Sequence, residues 1–237
     1  MSDIELYKDS PYDYEELQLQ RPDYSHSLIT MEKLAEKYLN QKEIIIADFC
    51  CGTGKNTALL SKRININKAI LIDINKDFIE IAKERKDIIK TKIIPIISDI
   101  LTAPLSCECD AVISMFAYHH INNLNKEKYI KQIRKALKKN GVLILGEIYV
   151  KDKLNTLNYY KKLLNEIGVN SKKELLEKFL TQTAESDSFE FKVSKNFAHQ
   201  QLNQSGFELL TSIKIWPNDK ELDIDTGMYV EVWKLSN

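Results

Sequence analysis

A short turn with two glycines is the segment of the chain best suited to hold a ligand. Residues 48–54 read Asp-Phe-Cys-Cys-Gly-Thr-Gly, and they end an apolar run, residues 43–48, with the pattern of a buried strand. Glycine lets the backbone approach a ligand closely and adopt conformations that a Cβ would oppose. Three kinds of nucleotide or cofactor site use a turn of this type between a strand and a helix.

The first two kinds of site fit the turn poorly. A dinucleotide site needs a third glycine in the spacing Gly-x-Gly-x-x-Gly, but Thr57 stands at that position. A phosphate-binding loop needs glycine where Phe49 stands and Ser or Thr where Asn56 stands. Lys55 is therefore predicted to be a solvated residue at the start of a helix, without a phosphate to bind.

The third kind of site fits the turn. Its sequence resembles motif I of the class I S-adenosylmethionine-dependent methyltransferases, an acidic residue followed by x-Gly-x-Gly-x-Gly, with Cys50 at the first glycine. A Cys-Cys-Gly-Thr-Gly version also occurs in that family. The resemblance implies that S-adenosylmethionine, with S-adenosylhomocysteine as its product, contacts Asp48, Cys50, Gly52 and Gly54. This cofactor carries a sulfonium and an amino acid in place of phosphates, so the turn needs a nearby carboxylate and no lysine.

Two more aspartates stand at the ends of predicted strands. Asp73 ends the apolar run 67–73, where a carboxylate can accept hydrogen bonds from both ribose hydroxyls. Asp99 follows the run 92–98, and the resemblance implies that it contacts the adenine amino group while the Ile100 backbone binds a ring nitrogen. Ile74 joins this predicted cofactor set. One such aspartate is most often a turn or cap residue, but three at successive strand ends predict one cofactor site.

The segment after the fourth predicted strand reads Met-Phe-Ala-Tyr-His-His over residues 115–120. The resemblance implies that it flanks the transferred methyl group, with Met115 and Phe116 against the cofactor. His119 is the candidate general base, because the pKa of histidine lies near neutrality. An alternative stays open, in which His119 and His120 only pack or bond to the backbone. A general base is optional, because alignment alone supplies much of the rate of an in-line displacement.

The acceptor is predicted to bind between the ends of the core strands and a lid. Glu147 could bind a cationic acceptor, act as a base, or be a solvated residue at the end of a strand. The first predicted helix spans residues 28–39, and the chain before it is rich in aromatic residues, at 12–14 and 21–26. This earlier segment could fold over the cofactor, although Pro22 could also mark a surface turn. The predicted acceptor-binding residues are Tyr24, His26, His120, Glu147 and Tyr149.

These residues require a frame of alternating strands and helices. Five apolar runs between residues 43 and 147 alternate with amphipathic stretches, which predicts a doubly wound α/β sheet. Runs 207–216 and 227–235 add an antiparallel C-terminal hairpin, giving seven strands, mostly parallel. Gly141 is predicted to end the helix before strand five as a left-handed cap. We expect one domain, 1–237, made of an N-terminal lid and helix (1–43), a cofactor-binding core (44–150), a helical cap inserted after strand five (151–195), and a final helix with the hairpin (196–237).

The composition is that of an ordinary globular chain. The sequence has 237 residues, with 34 Lys and Arg, 34 Asp and Glu, and a formal net charge of zero. Zero net charge argues mildly against nucleic acid as a partner. We therefore expect a cytoplasmic enzyme with a small-molecule substrate and no membrane contact. A methyltransferase that modifies RNA or protein, and a module that binds the cofactor without catalysis, are the alternatives, and the sequence leaves the oligomeric state open.

The four cysteines do not predict a metal site. They stand as Cys50-Cys51 and as Cys107 and Cys109, spacings that differ from the Cys-x-x-Cys pairs of structural zinc sites. No histidine cluster in the sequence completes a ligand set. The expectation is reduced thiols and no metal.

Overall fold

The computed structural model describes residues 11–40, 43–85, 87–88, 90–106, 108–167, 177–178, 180–181, 190–218, 222 and 225–236. Its centre is a seven-stranded sheet with the order β3-β2-β1-β4-β5-β7-β6. The first five strands pair in parallel, whereas β7 pairs antiparallel with both β5 and β6. The predicted fold class, a doubly wound and mostly parallel sheet with a C-terminal antiparallel hairpin, is confirmed.

The strands are β1 (Ile44–Phe49), β2 (Ile66–Asp73), β3 (Lys92–Ile97), β4 (Cys109–Met115), β5 (Leu137–Tyr149), β6 (Phe207–Trp216) and β7 (Gly227–Leu235). The helices of the described residues are α1 (Pro11–Leu19), α2 (Pro22–Tyr38), α3 (Lys55–Leu60), α4 (Lys76–Glu84), α5 (Lys126–Ala136), α6 (Lys153–Glu166) and α7 (Lys195–Gln204). Two short 3₁₀ turns, Tyr118–His120 and Asn123–Asn125, connect β4 to α5. None of the described helices is long and apolar enough to cross a membrane.

The sheet is covered on both faces, which explains the continuous apolar runs of its central strands. On one face, Met31 of α2, Ala82 of α4 and Leu163 of α6 pack in one hydrophobic cluster. On the other face, Ile133 of α5 and Leu202 of α7 pack in a second cluster. Strands buried on both faces need apolar side chains at every position, and β5 is buried throughout its second half.

The first long helix begins earlier than the sequence predicts. Helix α2 starts at Pro22, a residue suited to the first turn because its missing N–H would have no partner there. Tyr24 and His26 are therefore helical, and the alternative of a surface turn at Pro22 is wrong. The second predicted helix of the cap, around residues 171–180, lies largely outside the described residues.

The predicted left-handed cap at Gly141 is also wrong. Helix α5 ends at Ala136 and the chain passes directly into β5, while Asn140 carries the positive φ of 63°. Gly141 has a different reason to be glycine, because a Cβ there would lie 2.9 Å from the carbonyl oxygen of Lys138. Position 141 thus requires glycine because another backbone segment approaches it closely within the strand.

Candidate active site

A cavity of about 390 Å³ opens at the carboxyl edge of β1, β2, β3 and β4. Small-molecule sites have volumes of roughly 300–1,000 Å³. Ten of the residues proposed from sequence line it: Tyr24, Cys50, Gly52, Asp73, Ile74, Asp99, Ile100, Met115, Phe116 and His120. The other six, His26, Asp48, Gly54, His119, Glu147 and Tyr149, do not line it.

The turn after β1 uses three residues in the left-handed region. Cys50 and Gly52 both have φ of 53°, and Gly54 has φ of 76°. A Cβ at Gly52 would meet nothing within 4 Å, so the absent side chain leaves open space on the cavity wall. A Cβ at Gly54 would lie 3.0 Å from the Cβ of Ala82, so this glycine serves the packing of the turn on α4.

The positive φ of Cys50 strains a residue that has a Cβ, whereas glycine adopts it freely. This difference predicts how two cysteine variants change the stability. Replacing Cys50 with glycine should change the free energy of unfolding by less than about 1 kcal/mol, because relief of the positive φ offsets the lost side chain. Cys51 is the matched control, since it is buried with no positive φ. Cys51→Gly should cost about 2 kcal/mol in urea unfolding. Equal losses in the two variants would contradict the assignment of strain to Cys50.

Asp48 lies beneath the turn. It is fully buried and accepts hydrogen bonds from Thr57 Oγ1 at 2.9 Å and from Asn56 Nδ2 at 3.3 Å. Burial raises its pKa to about 7. Thr57, which replaces the third glycine of a dinucleotide motif, thus supplies a buried hydroxyl that ties α3 to β1. Asp48 anchors the turn from below and has no face toward the cavity.

Asp73 holds the turn from the other side. Its Oδ2 accepts a hydrogen bond from the Gly52 backbone N–H at 2.9 Å, and its Oδ1 accepts one from the Asn75 N–H at 2.9 Å. The backbone N–H of Ile74 also interacts with this carboxylate. An ionised carboxylate has about four lone-pair sites, so capacity to accept from hydroxyl donors in the cavity remains. Burial raises the pKa of Asp73.

Asp99 and Ile100 lie at the far wall of the cavity. Asp99 is exposed and accepts a hydrogen bond from the Leu101 N–H at 2.8 Å, while the side chain of Ile100 is buried. An exposed carboxylate beside an apolar wall can bind the amino edge of a flat aromatic base.

Helix α1 contributes a residue that the sequence did not suggest. Glu15 lines the cavity and accepts hydrogen bonds from Thr53 Oγ1 at 2.6 Å and Arg85 Nη1 at 2.8 Å. Lys55 Nζ lies 2.9 Å from Glu15 Oε1, and the Lys55 side chain is half-buried. The prediction that Lys55 is a solvated residue is therefore wrong. Burial raises the pKa of Glu15, but the bonds from Arg85, Lys55 and Thr53 outweigh it and lower that pKa. The N-terminal helix thus closes on the glycine turn.

Tyr24 and Phe116 form the wall where β4 ends. Their ring centroids are 5.0 Å apart, and Phe116 has a positive φ of 55°. A bulky residue in this region is strained by about 1–3 kcal/mol, and such residues cluster at functional sites. The guanidinium of Arg21 lies 5.7 Å from the centre of the Phe116 ring and forms a salt bridge with Asp23.

His119 and Glu147 form a buried pair behind this wall. His119 Nδ1 lies 2.5 Å from Glu147 Oε1, and the backbone N–H of His119 donates to Oε2 at 3.1 Å. Glu147 is 1% exposed, so the alternative of a solvated residue at the end of a strand is wrong. Burial raises the pKa of Glu147 to about 7. Burial and the nearby cations, Lys192 first, lower the pKa of His119, which favours a neutral imidazole.

Two residues proposed for the acceptor lie away from the cavity. Tyr149 is fully buried beside α7, where its hydroxyl donates to Glu231 Oε2 at 2.9 Å and its ring meets His199. His26 is exposed on α2. It follows Tyr24 by two positions, so the two side chains lie on different faces of the helix. Both side chains therefore differ from their predicted placement at the acceptor.

This geometry agrees with the comparisons to known proteins. A family model described as a methyltransferase domain matches residues 46–141, which include the glycine turn, Asp73, Asp99 and the two histidines. The chain belongs to the class I S-adenosylmethionine-dependent methyltransferases, and S-adenosylmethionine is its cofactor.

Among its relatives, carboxy-S-adenosyl-L-methionine synthase of Nautilia profundicola is 26% identical over 83% of this chain and 83% of that protein. Malonyl-[acyl-carrier protein] O-methyltransferase of Priestia megaterium is 32% identical, over 52% of this chain and 42% of that protein.

Solved structures show the same fold at low identity. An S-adenosylmethionine-dependent methyltransferase from Clostridium acetobutylicum aligns with a TM-score of 0.62 and 14% identity, over 90% of this chain and 92% of that one. A chain from the complex between the Haloferax volcanii Trm112 methyltransferase activator and a methyltransferase aligns with a TM-score of 0.65 and 12% identity, over 99% and 96% of the two chains.

Proposed function

We propose that the protein transfers the methyl group of S-adenosylmethionine to a small-molecule acceptor, at an oxygen, nitrogen or carbon nucleophile. The observation that carries this proposal is the cover that α1 and α2 place over the cavity through Glu15 and Tyr24. A cavity covered by helix α1 at the glycine turn and by α2 at Phe116 suits a compact acceptor better than a nucleic-acid strand or a protein surface. The zero net charge of the chain agrees with this choice.

For the cofactor, the proposal assigns the ribose hydroxyls to the carboxylate oxygens of Asp73. The adenine amino group would bind Asp99, with the backbone of Ile100 on a ring nitrogen. Cys50 and Gly52 would offer backbone contact to the amino acid part, and Met115 and Phe116 would lie against the sulfur. Asp48 and Gly54 would act indirectly, by holding the turn in shape.

For the chemistry, the acceptor nucleophile attacks the methyl carbon in line with the carbon–sulfur bond, and the electron pair of that bond returns to the sulfur. Alignment and exclusion of water supply much of the rate. Because His119 lies behind the cavity wall, an acceptor that carries a proton on its nucleophile would pass it to His119 Nε2 through one bridging water. Glu147, bonded to Nδ1, then stabilises the imidazolium that forms, and His120 and Tyr24 would contact the acceptor.

The role of His119 gives a kinetic prediction. His119→Gln should lower kcat at least tenfold, since general-base catalysis contributes roughly 10²–10⁴ to a rate. The affinity for S-adenosylmethionine, measured by titration calorimetry, should stay within about threefold, because His119 does not line the cavity. An unchanged kcat would remove His119 from the chemistry and leave it a packing residue.

A second candidate function follows from the relatives that match most of the chain. Two carboxy-S-adenosyl-L-methionine synthases, from Nautilia profundicola and Sulfurimonas denitrificans, are 26% and 27% identical over 83% and 77% of this chain. In that function the cofactor itself would be modified and no separate acceptor would receive a methyl group.

One experiment separates the candidates. The protein is incubated with S-adenosylmethionine labelled in its methyl group, together with a metabolite extract, cellular RNA or cellular protein, and Asp73→Ala serves as the inactive control. Label in a low-molecular-weight product, absent with the control, supports the proposal. Label only in RNA or protein contradicts it. A cofactor heavier by one carboxylate, found by mass spectrometry, favours the second candidate.

A further inference from the structure

Three side chains at the acceptor end of the cavity are arranged as a set of metal ligands. One nitrogen from each of His119 and His120 and one carboxylate oxygen of Glu190 all lie within 4.8 Å of one another. His120 also lines the cofactor cavity. Glu190 reaches the histidines from the segment before α7, which the sequence order alone does not bring near them.

The contacts around His119 fix which nitrogen faces the cluster. Nδ1 is engaged by Glu147 Oε1, so Nε2 points the other way, and it lies 3.8 Å from Glu190 Oε1. A metal-bound histidine almost always has its other ring nitrogen bonded to a carboxylate or carbonyl, which fixes the tautomer and the ring orientation. Glu147 already occupies that outer position.

The contacts around Glu190 select its ligand oxygen in the same way. Oε2 accepts a hydrogen bond from the Tyr160 hydroxyl at 3.1 Å and contacts Lys192 Nζ. Oε1 is the oxygen that faces His119. The carboxylate is thereby oriented to offer one oxygen to the cluster while the other is held in place.

From this arrangement we propose that His119, His120 and Glu190 bind a divalent transition metal ion, with zinc as the best match. Imidazole ligands suit zinc, copper, iron and nickel better than magnesium or calcium. Two ligands of a tetrahedral zinc ion at bond lengths of about 2.0–2.1 Å are about 3.3 Å apart. The cluster would therefore contract by about 1.5 Å at most, mainly through His120, which is only partly buried.

Three protein ligands leave a fourth position, as in catalytic zinc sites. The side of the cluster formed by His120 faces the cofactor cavity, so an oxygen or nitrogen of the acceptor could take that position. The ion would lower the pKa of a bound hydroxyl. A metal on Nε2 uses the lone pair that a proton would need, so metal binding and the general-base role are alternative states of His119.

Three buried cations, Arg21, Lys126 and Lys192, lie near the cluster and oppose the binding of an ion. Lys126 donates a hydrogen bond to the backbone carbonyl of Tyr118 at 2.8 Å. Arg21 is neutralised by Asp23, to which it donates two hydrogen bonds, at 3.1 and 2.7 Å. Lys192 competes with the ion for Glu190. Glu147 and Glu190 together supply the negative charge that a divalent ion needs.

The test is a titration of the protein with Co²⁺ and with Zn²⁺ after treatment with a chelator. The proposal predicts one equivalent of bound ion, seen for Co²⁺ as visible absorption bands and for Zn²⁺ by calorimetry. His120→Ala should weaken binding at least tenfold, the size of effect that loss of even an outer partner causes. His26→Ala, which removes an exposed histidine outside the cluster, should leave binding unchanged.

The readout is metal binding, so it is independent of the acceptor and of the methyl-transfer assay. His120→Ala and Glu190→Gln must both remain folded by circular dichroism. His120 is only partly buried, and glutamine keeps the size of Glu190, whose side chain is 5% exposed, and an oxygen that can accept the Tyr160 hydrogen bond. The proposal is overturned if the wild-type protein binds neither ion, or if it binds them equally well after His120→Ala and Glu190→Gln.

Discussion

Replacing Asp73 with alanine is expected to weaken the binding of S-adenosylmethionine about 100-fold. Two charge-assisted hydrogen bonds to the ribose hydroxyls, at about 1.4 kcal/mol each, account for that factor. Asp73 also accepts the hydrogen bond from the Gly52 N–H, so its loss loosens the turn that faces the cofactor. Titration calorimetry with S-adenosylhomocysteine measures the change directly.

Asp99→Ala is the matched control for this loss. Asp99 also lines the cavity, but it is exposed at the rim, and its carboxylate accepts a hydrogen bond from the Leu101 N–H. Its removal should cost less, about tenfold, for one hydrogen bond in contact with water. Equal affinity of the Asp73→Ala variant and the wild-type protein would mean that the ribose is bound elsewhere.

The second large effect is a dependence of stability on pH that comes from Asp48. Burial raises the pKa of Asp48 to about 7 in the folded protein, from the ordinary 3.8 of an aspartate. A carboxyl group with a raised folded pKa stabilises the protein at low pH, and this contribution is lost as the pH rises through the folded pKa. Between pH 5 and pH 8 the free energy of unfolding should fall by roughly 2–3 kcal/mol from this group alone.

Other groups titrate in the same range, so the measurement compares two proteins. Urea unfolding of the wild type and of Asp48→Asn, without cofactor, gives their difference in free energy at each pH. From pH 5 to pH 8 the wild type should lose roughly 2–3 kcal/mol of stability relative to Asp48→Asn. Parallel profiles for the two proteins would show that the burial of Asp48 does not raise its pKa.

The sequence predicts that the residues of the proposed cofactor site lie close together, because they stand near strand ends, and ten of the residues proposed from sequence line one cavity. Parallel strands align their carboxyl ends at one edge of the sheet, so Gly52, Asp73 and Asp99 had to meet once the strands were recognised. The same logic predicted the C-terminal hairpin, whose strands Phe207–Trp216 and Gly227–Leu235 have the predicted bounds.

Side-chain direction was harder to predict, and the acceptor residues show why. Strand β5 is buried on both faces, so its sequence has no polar alternation that would tell which residues face the cavity. Tyr149 consequently was assigned to the acceptor but packs beside α7. The hydrogen bonds that Glu15 accepts from Thr53 and Arg85 could not be predicted from the sequence either, because they join segments far apart in the chain.

The metal ligands illustrate the same limit. The sequence shows His119 and His120 as neighbours without a third ligand, and no metal was expected. Glu190 comes from a distant segment, and its approach depends on how the chain returns from the helical cap to α7. Only the folded chain brings the three side chains together.

A crystal structure of the protein with S-adenosylhomocysteine tests the central claim most directly, namely that the cavity between the glycine turn and Phe116 is the cofactor site. The account predicts ribose hydroxyls on the carboxylate of Asp73, adenine beside Ile100, and the sulfur in contact with Met115 or Phe116. Product bound outside this cavity, or within it with the ribose away from Asp73, would contradict the account.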